Sequence, residues 1–319
     1  MIKRGLRELV PSAALLTALF SAQTASAFCQ ATTCDPTMLS EMCQFNAQNC
    51  LTVGQPLAWQ SNCVTVSVQA AGAPKQNIDY DAAAGSVTRA FAAWTNATCT
   101  GGAPSITVHV TGPITCDASE YNADGGNANI VVFREDTWPY VGGEDALGLT
   151  RVHFEAATGA IWDSDIEVNA VDVPLSIGDP VPPNSVDLDS LLTHEAGHLL
   201  GMAHTLDKTA TMFAGYQEGT NSLRTLAPDD INGICAIYPP TRQASSTSCE
   251  PRHGYSDLCG VQQAMQMTEM DASASTAATS KGCGISTRSS STPWLPSLAS
   301  LAGLALLRLR RRAAKRRVF

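Results

Sequence analysis

The 319-residue sequence predicts a mixed α/β layer structure flanked by targeting segments. Three observations support this. Between residues 55 and 239 the segments run strand, helix, strands, helix, irregular turn, helix, the order expected of helices layered on a sheet. Apolar residues make up 44% of the chain, enough for a sizeable core, and charged residues only 15%. Eleven cysteines is high for this length and points to an oxidising compartment.

Each element has its own signal. "CVTVSVQ" (63–69) alternates apolar and polar residues and predicts a strand. "DAAAGSVTRAFAAWTNAT" (81–98) sets Val87, Phe91 and Trp94 at helical spacing. "PSITVHV" (104–110) and "NIVVFRE" (129–135) read as strands, and "ALGLTRVHF" (146–154) and "IWDSDIEVN" (161–169) as two strands joined by a turn at "AATG". "PPNSVDLDSLLTHEAGHLLG" (182–201) reads as a helix, with Ser185 or Asp187 as N-cap. "LAPDDINGICAIYP" (226–239) is a final helix: Pro228 suits its first turn, Asp229 and Asp230 suit the positive end of the dipole, and Pro239–Pro240 stop it. Residues 28–54 are Cys-dense without periodicity, either a short pro-segment or a disulfide-clamped extension. Residues 241–282 hold two more cysteines and a Ser/Ala/Thr-rich stalk.

Both ends read as sorting signals. Lys3, Arg4 and Arg7, then an apolar run, then Ala-Ser-Ala at 25–27 describe a secretory signal peptide cut after Ala27. At the other end a polar stretch with Cys283 precedes an apolar run from 293 to 307 and seven basic residues. This resembles the MYXO-CTERM type of bacterial sorting tail over residues 283–319. The resemblance implies membrane contact, then cleavage near Cys283 and transfer to the cell surface; a retained anchor is the alternative.

Residues 1–27 carry a net +2 and residues 283–319 a net +8, so the chain's formal −9 leaves −19 on the middle. A core this acidic excludes nucleic acid as a partner. Its ten cysteines, an even number, predict five disulfides whose pairing the sequence leaves open.

"THEAGHLLGMAHT" (193–205) places His194 and His198 four residues apart, on one face of a helix, where both can donate a ring nitrogen to one ion. Glu195 lies in the same turn, displaced around the axis. It sits outside that ligand pair but within reach of a metal-activated water. His204 is too far along to share the face. Gly201 can end the helix in a left-handed conformation and turn the chain so that His204 approaches from another side. Three histidines leave one position open, as in a catalytic rather than a structural zinc site.

HExxHxxGxxH is the signature of the metzincin zinc proteases, and His194, Glu195, His198, Gly201 and His204 match every fixed position. Residues 55–239 resemble the matrixin branch in particular. Met212 lies eight residues after His204, at the interval of the methionine turn beneath the zinc. "LAPDDINGICAIYP" resembles the C-terminal helix, in which Asp230 is implied to brace that turn, and "VTRAFAAW" resembles the first helix. "GLTRV" falls where the family places the edge strand that pairs with extended substrate. The resemblance implies a zincin fold, a twisted mixed sheet with an active-site helix and a C-terminal helix, and one catalytic Zn²⁺.

Three features depart from the family. Thr205 stands where matrixins usually carry serine. The matrixin motifs for structural zinc and calcium are not recognisable. His153 reads as an ordinary strand residue; Asp163 and Asp165, at alternating strand positions, are possible Ca²⁺ ligands but are expected to face solvent. The pro-segment motif Pro-Arg-Cys-Gly is absent, so any latency would have to use Cys29, Cys34, Asp35, Cys43 or Cys50.

The sequence therefore predicts an exported zinc endopeptidase acting on protein or peptide, with Glu195 as general base and the 213–227 loop shaping the side-chain pocket. The rivals are a zinc-bound, non-proteolytic surface adhesion domain and a purely structural zinc in a disulfide-rich module. Neither needs the glutamate.

Overall fold

The structure, a computed structural model, describes residues 28–34, 43–117, 119–140, 146–171 and 173–260. The expected signal peptide, stalk and sorting tail lie outside the described residues, among which no helix is long and apolar enough to cross a membrane.

The elements in chain order are β1 (Cys29–Gln30), β2 (Ala58–Trp59), β3 (Cys63–Gln69), α1 (Tyr80–Thr95), β4 (Thr107–Ile114), β5 (Ile130–Arg134), β6 (Gly148–Phe154), β7 (Ala160–Asn169), β8 (Leu175–Ser176), β9 (Val186–Asp187), α2 (Leu188–Leu199), β10 (Met202–Ala203) and α3 (Pro228–Ile237). Six strands form one mixed sheet in the order β2-β7-β5-β3-β4, with β6 also on β7. The β3–β4, β3–β5, β5–β7 and β2–β7 pairings are parallel. β6 runs antiparallel to β7, with Leu149 opposite Glu167 and a register shift between His153 and Phe154. Among the described residues β6 pairs with no other strand, so its outer edge is free.

Helices cover one face. α1 starts where Asp79 accepts a hydrogen bond from the Ala82 N–H, and it buries Ala83, Val87, Ala90, Phe91 and Trp94 against the sheet and α2. Burying Phe91 and Trp94 stabilises the fold by roughly 2–3 kcal/mol each. α2 is capped by Asp187, one of the two expected N-caps, and is buried almost all round. It runs through the middle of the molecule, so polar groups on it meet protein rather than water.

On the opposite face a smaller cluster of Ile114, Ala128, Ile130, Val132 and Cys259 lies under the 115–129 loop and the 249–260 segment. Here the structure corrects an expectation. Asp163 and Asp165 do alternate along β7, but both are fully buried. Tyr121 stacks near Trp162 and on His153, Arg252 lies 3.9 Å over the Trp162 ring, and the Cys116–Cys259 and Cys63–Cys249 bridges fasten this covering.

The ten core cysteines form five disulfides, the others being Cys29–Cys50, Cys34–Cys43 and Cys99–Cys235. No cysteine of the N-terminal extension is therefore free to ligate a metal; Asp35 lies outside the described residues. Instead the extension is built into the fold. β1 pairs antiparallel with β10, setting Gln30 opposite Met202 and Cys29 opposite Ala203. The Ala31 N–H donates to Gly201 O, and the Leu57 N–H donates back to Ala31 O.

Candidate active site and metal centre

The structure brings His194, His198 and His204 to one point. Their Nε2 atoms are 3.1 Å (194–204), 3.2 Å (194–198) and 3.1 Å (198–204) apart. His194 and His198 stand a turn apart on α2. Gly201, at φ +91°, ends the helix, and the chain returns through β10 to His204. Only glycine serves at 201: besides the positive φ, a Cβ there would lie 2.5 Å from Leu57 O.

Hydrogen bonds fix which nitrogen faces inward. His194 Nδ1 is 2.6 Å from Thr211 O and His198 Nδ1 is 3.0 Å from Met202 O. A carbonyl only accepts, so both Nδ1 atoms carry the proton and both Nε2 atoms present a lone pair. Burial holds the three imidazoles neutral: His198 falls to about 4, His204 to about 3, and His194 well below its ordinary value, with mutual repulsion adding to the effect at His194 and His204. Converging lone pairs repel unless a cation lies between them. Zn–N bonds of about 2.0–2.1 Å at tetrahedral angles put ligand nitrogens about 3.3 Å apart, close to the spacing found. Neutral imidazole is also the ligating form, so the donor set fits zinc. The Cys63, His109 and Cys249 cluster is not comparable, since Cys63 and Cys249 are disulfide-bonded.

Glu195 is fully buried beside the triad. Its Oε2 accepts a 2.6 Å bond from the Thr150 hydroxyl of β6, and its Oε1 has no hydrogen-bond partner among the described residues. Burial pushes this carboxyl up to about 8, against the Thr150 hydrogen bond, which lowers it.

Met212 packs under α2. A Cβ on Gly197 would lie 2.3 Å from its Sδ and 2.7 Å from Trp94 Cζ2. Asp230 accepts from the backbone N–H groups of Thr211 (2.7 Å), Met212 (3.0 Å) and Ala227 (2.8 Å). The carbonyl of Thr211 in turn accepts from His194, and the Thr205 N–H donates to Met212 O at 3.0 Å. Asp230 thus reaches His194 through one residue, an outer support of the kind that orients metal ligands.

The 213–227 loop is anchored at its root. The Asp187 N–H donates to the buried Tyr216 hydroxyl, and the Arg224 guanidinium pairs with Asp187. His153 belongs to no group of three or more ligating side chains among the described residues; it stacks on Tyr121 at 4.8 Å. Sequence reasoning missed Thr150, Gly148 and Gly197. Only tertiary contact gives them a role, although a small residue inside HExxH hints at a neighbour packed against the helix.

Three imidazoles and a carboxylate set by one helix and its glycine turn, beneath a mixed sheet with one antiparallel edge strand, form the arrangement of the metzincin class. The chain belongs to the matrixin family, whose model it matches over residues 58–239. It is similar to Metalloendoproteinase 1 of Glycine max, 27% identical over 191 residues, which cover 56% of this chain and 52% of that protein. It is also similar to Metalloendoproteinase 1-MMP of Arabidopsis thaliana, 32% identical over 90 residues (28% and 21%). Neutrophil collagenase of Homo sapiens is 40% identical over 65 residues (18% and 14%). The chain spans about half or less of the length of these relatives.

Proposed function

We propose that the protein is an exported zinc endopeptidase that hydrolyses peptide bonds in extracellular proteins. The observation that carries this is the convergence of three neutral imidazole lone pairs beside a buried carboxylate whose Oε1 is unpartnered. His194, His198 and His204 hold the metal. Zinc bound there supplies Lewis acidity, polarising a carbonyl and acidifying water. Glu195 Oε1 takes a proton from the attacking water and returns it to the leaving amine. The free edge of β6 receives the substrate backbone in extended form, since an unpaired strand edge offers a row of main-chain donors and acceptors.

Residues 1–27 read as the export signal, 55–240 as the catalytic domain, and 283–319 as a tail that contacts the membrane before processing. Five disulfides suit an oxidising destination at the cell envelope or beyond. The intact Glu195 favours an enzyme over a zinc-bound adhesion module, which has no use for it.

The test is a peptide-library digest by the purified exported chain, with and without a zinc chelator, alongside Glu195→Ala. The variant should fold, keep one zinc and lose about 10²–10⁴-fold in cleavage. Undiminished cleavage by Glu195→Ala, or none by the zinc-loaded parent, would overturn the proposal.

A further inference from the structure

We infer that Thr150 is a positioning residue for Glu195, so that the edge strand offered to the substrate also aims the base. This rests on the reading of Glu195 as general base given above. Gly148 and Thr150 are two apart on β6 and present the same face to α2. Between them they enclose the Glu195 carboxylate. Thr150 Oγ lies 2.6 Å from Oε2 and 3.2 Å from the Glu195 carbonyl oxygen, and the shorter contact takes its single proton. At Gly148 a Cβ would stand 2.8 Å from Oε1, so glycine keeps that side open.

The two oxygens are therefore distinguished. Oε2 is held by a hydroxyl, while Oε1 is buried and unpartnered. No other side chain among the described residues hydrogen-bonds this carboxylate. Without the Thr150 hydroxyl a buried carboxylate would lose its one side-chain donor, and the hydrogen bond that sets its rotation would be gone. A base must lie within hydrogen-bond reach of the proton it takes, and small misplacements are costly to the rate. Because Thr150 sits on the strand with the free edge, backbone pairing by a substrate would stiffen the element that holds the base.

The experiment compares Thr150→Val, which keeps the shape and removes the hydroxyl, with Thr150→Ser, which keeps the hydroxyl. The probe is a fluorogenic peptide chosen from the wild-type library digest. Zinc content and thermal midpoint are measured on each full exported chain. We expect Thr150→Val to lower kcat roughly 10- to 100-fold with KM within about 2-fold, and Thr150→Ser to recover most of that loss. Zinc content should match the parent in both, and both should remain fully folded at the assay temperature, with Thr150→Val melting a few degrees lower because Oε2 loses its donor. In the Glu195→Ala background, Thr150→Val should cost nothing further.

Wild-type kcat in Thr150→Val overturns the inference. So does a loss confined to KM, a loss that serine does not repair, or a loss that tracks missing zinc or an unfolded fraction at the assay temperature. A fully active Thr150→Val beside an inactive Glu195→Ala defeats only this inference. An active Glu195→Ala defeats the general-base reading itself.

Discussion

Asp230 and Asp163 are both fully buried, and their surroundings differ in kind. Asp230, behind the metal centre, accepts three backbone N–H bonds and through them fixes Thr211 and Met212. Asp163, on the far face of the sheet, has no hydrogen-bond partner for either oxygen among the described residues, while its neighbour Asp165 accepts from the Ile130 N–H. Burial raises the carboxyl pKa at both places, but at Asp230 three donors push back while nothing does at Asp163. The same residue type at the same burial thus supports one region and strains the other. Burial alone does not mark a working group; the direction of its partners does.

On the metal side the largest effect is expected at Asp230. Asp230→Ala leaves three N–H donors without their acceptor and should cost about 3–5 kcal/mol in chemical unfolding. Zinc affinity, read by chelator competition, should fall with it, because Thr211 O no longer holds His194. Unchanged zinc affinity would uncouple Asp230 from the centre. Gly201→Ala comes next. It forces a side chain onto φ +91° and against Leu57 O, a cost of about 2–3 kcal/mol. Gly197→Ala should cost about 1–3 kcal/mol by overpacking Met212 and Trp94, and a crystal structure of it should show Met212 displaced. An undisturbed methionine turn would show that the helix can shift to make room.

The two regions also differed in how far they could be read from sequence. Spacing of four and then six, with a glycine between, was enough to see that His194, His198 and His204 could share a point, because helical geometry and one left-handed residue are local matters. Strands β3 and β7 and helices α1 and α3 followed within a few residues of their ends, whereas α2, expected over 182–201, begins only at Leu188, after the short strand β9. The Asp163–Asp165 site misled, because alternation tells which face of a strand a residue takes and not what covers that face. The cover comes from the 115–129 loop and the 249–260 segment, pinned by disulfides whose pairing no local pattern encodes. Thr150 and Gly148 were illegible for the same reason: their partner, Glu195, is more than forty residues away. So was β1, two residues long and paired with the turn between two of the histidines.

The far face adds effects set by pH. Burial lifts Asp163 to about 7 and Asp165 well above its ordinary value, with Asp163 itself repelling Asp165. Well below a pH of about 4 these carboxyls are protonated whether the chain is folded or not, so no charge is buried. As the pH rises from there towards about 7, the unfolded chain ionises first, so stability should fall, by at most about 1.4 kcal/mol per pH unit for each proton. Above about 7 the loss from Asp163 levels off. Asp163→Asn should flatten this slope, matching the parent near pH 4 and melting higher than it near pH 8. If the parent instead gains stability between pH 5 and 8 and Asp163→Asn loses that gain, the ionised carboxylate has a partner in solution. Arg252→Ala should do least: it removes the guanidinium over Trp162, worth about 1 kcal/mol, and lowers the melting point slightly at every pH. A larger loss that grows with pH would mean that Arg252 also serves the buried pair, and the far face would then resemble the metal side more closely than its hydrogen bonds show.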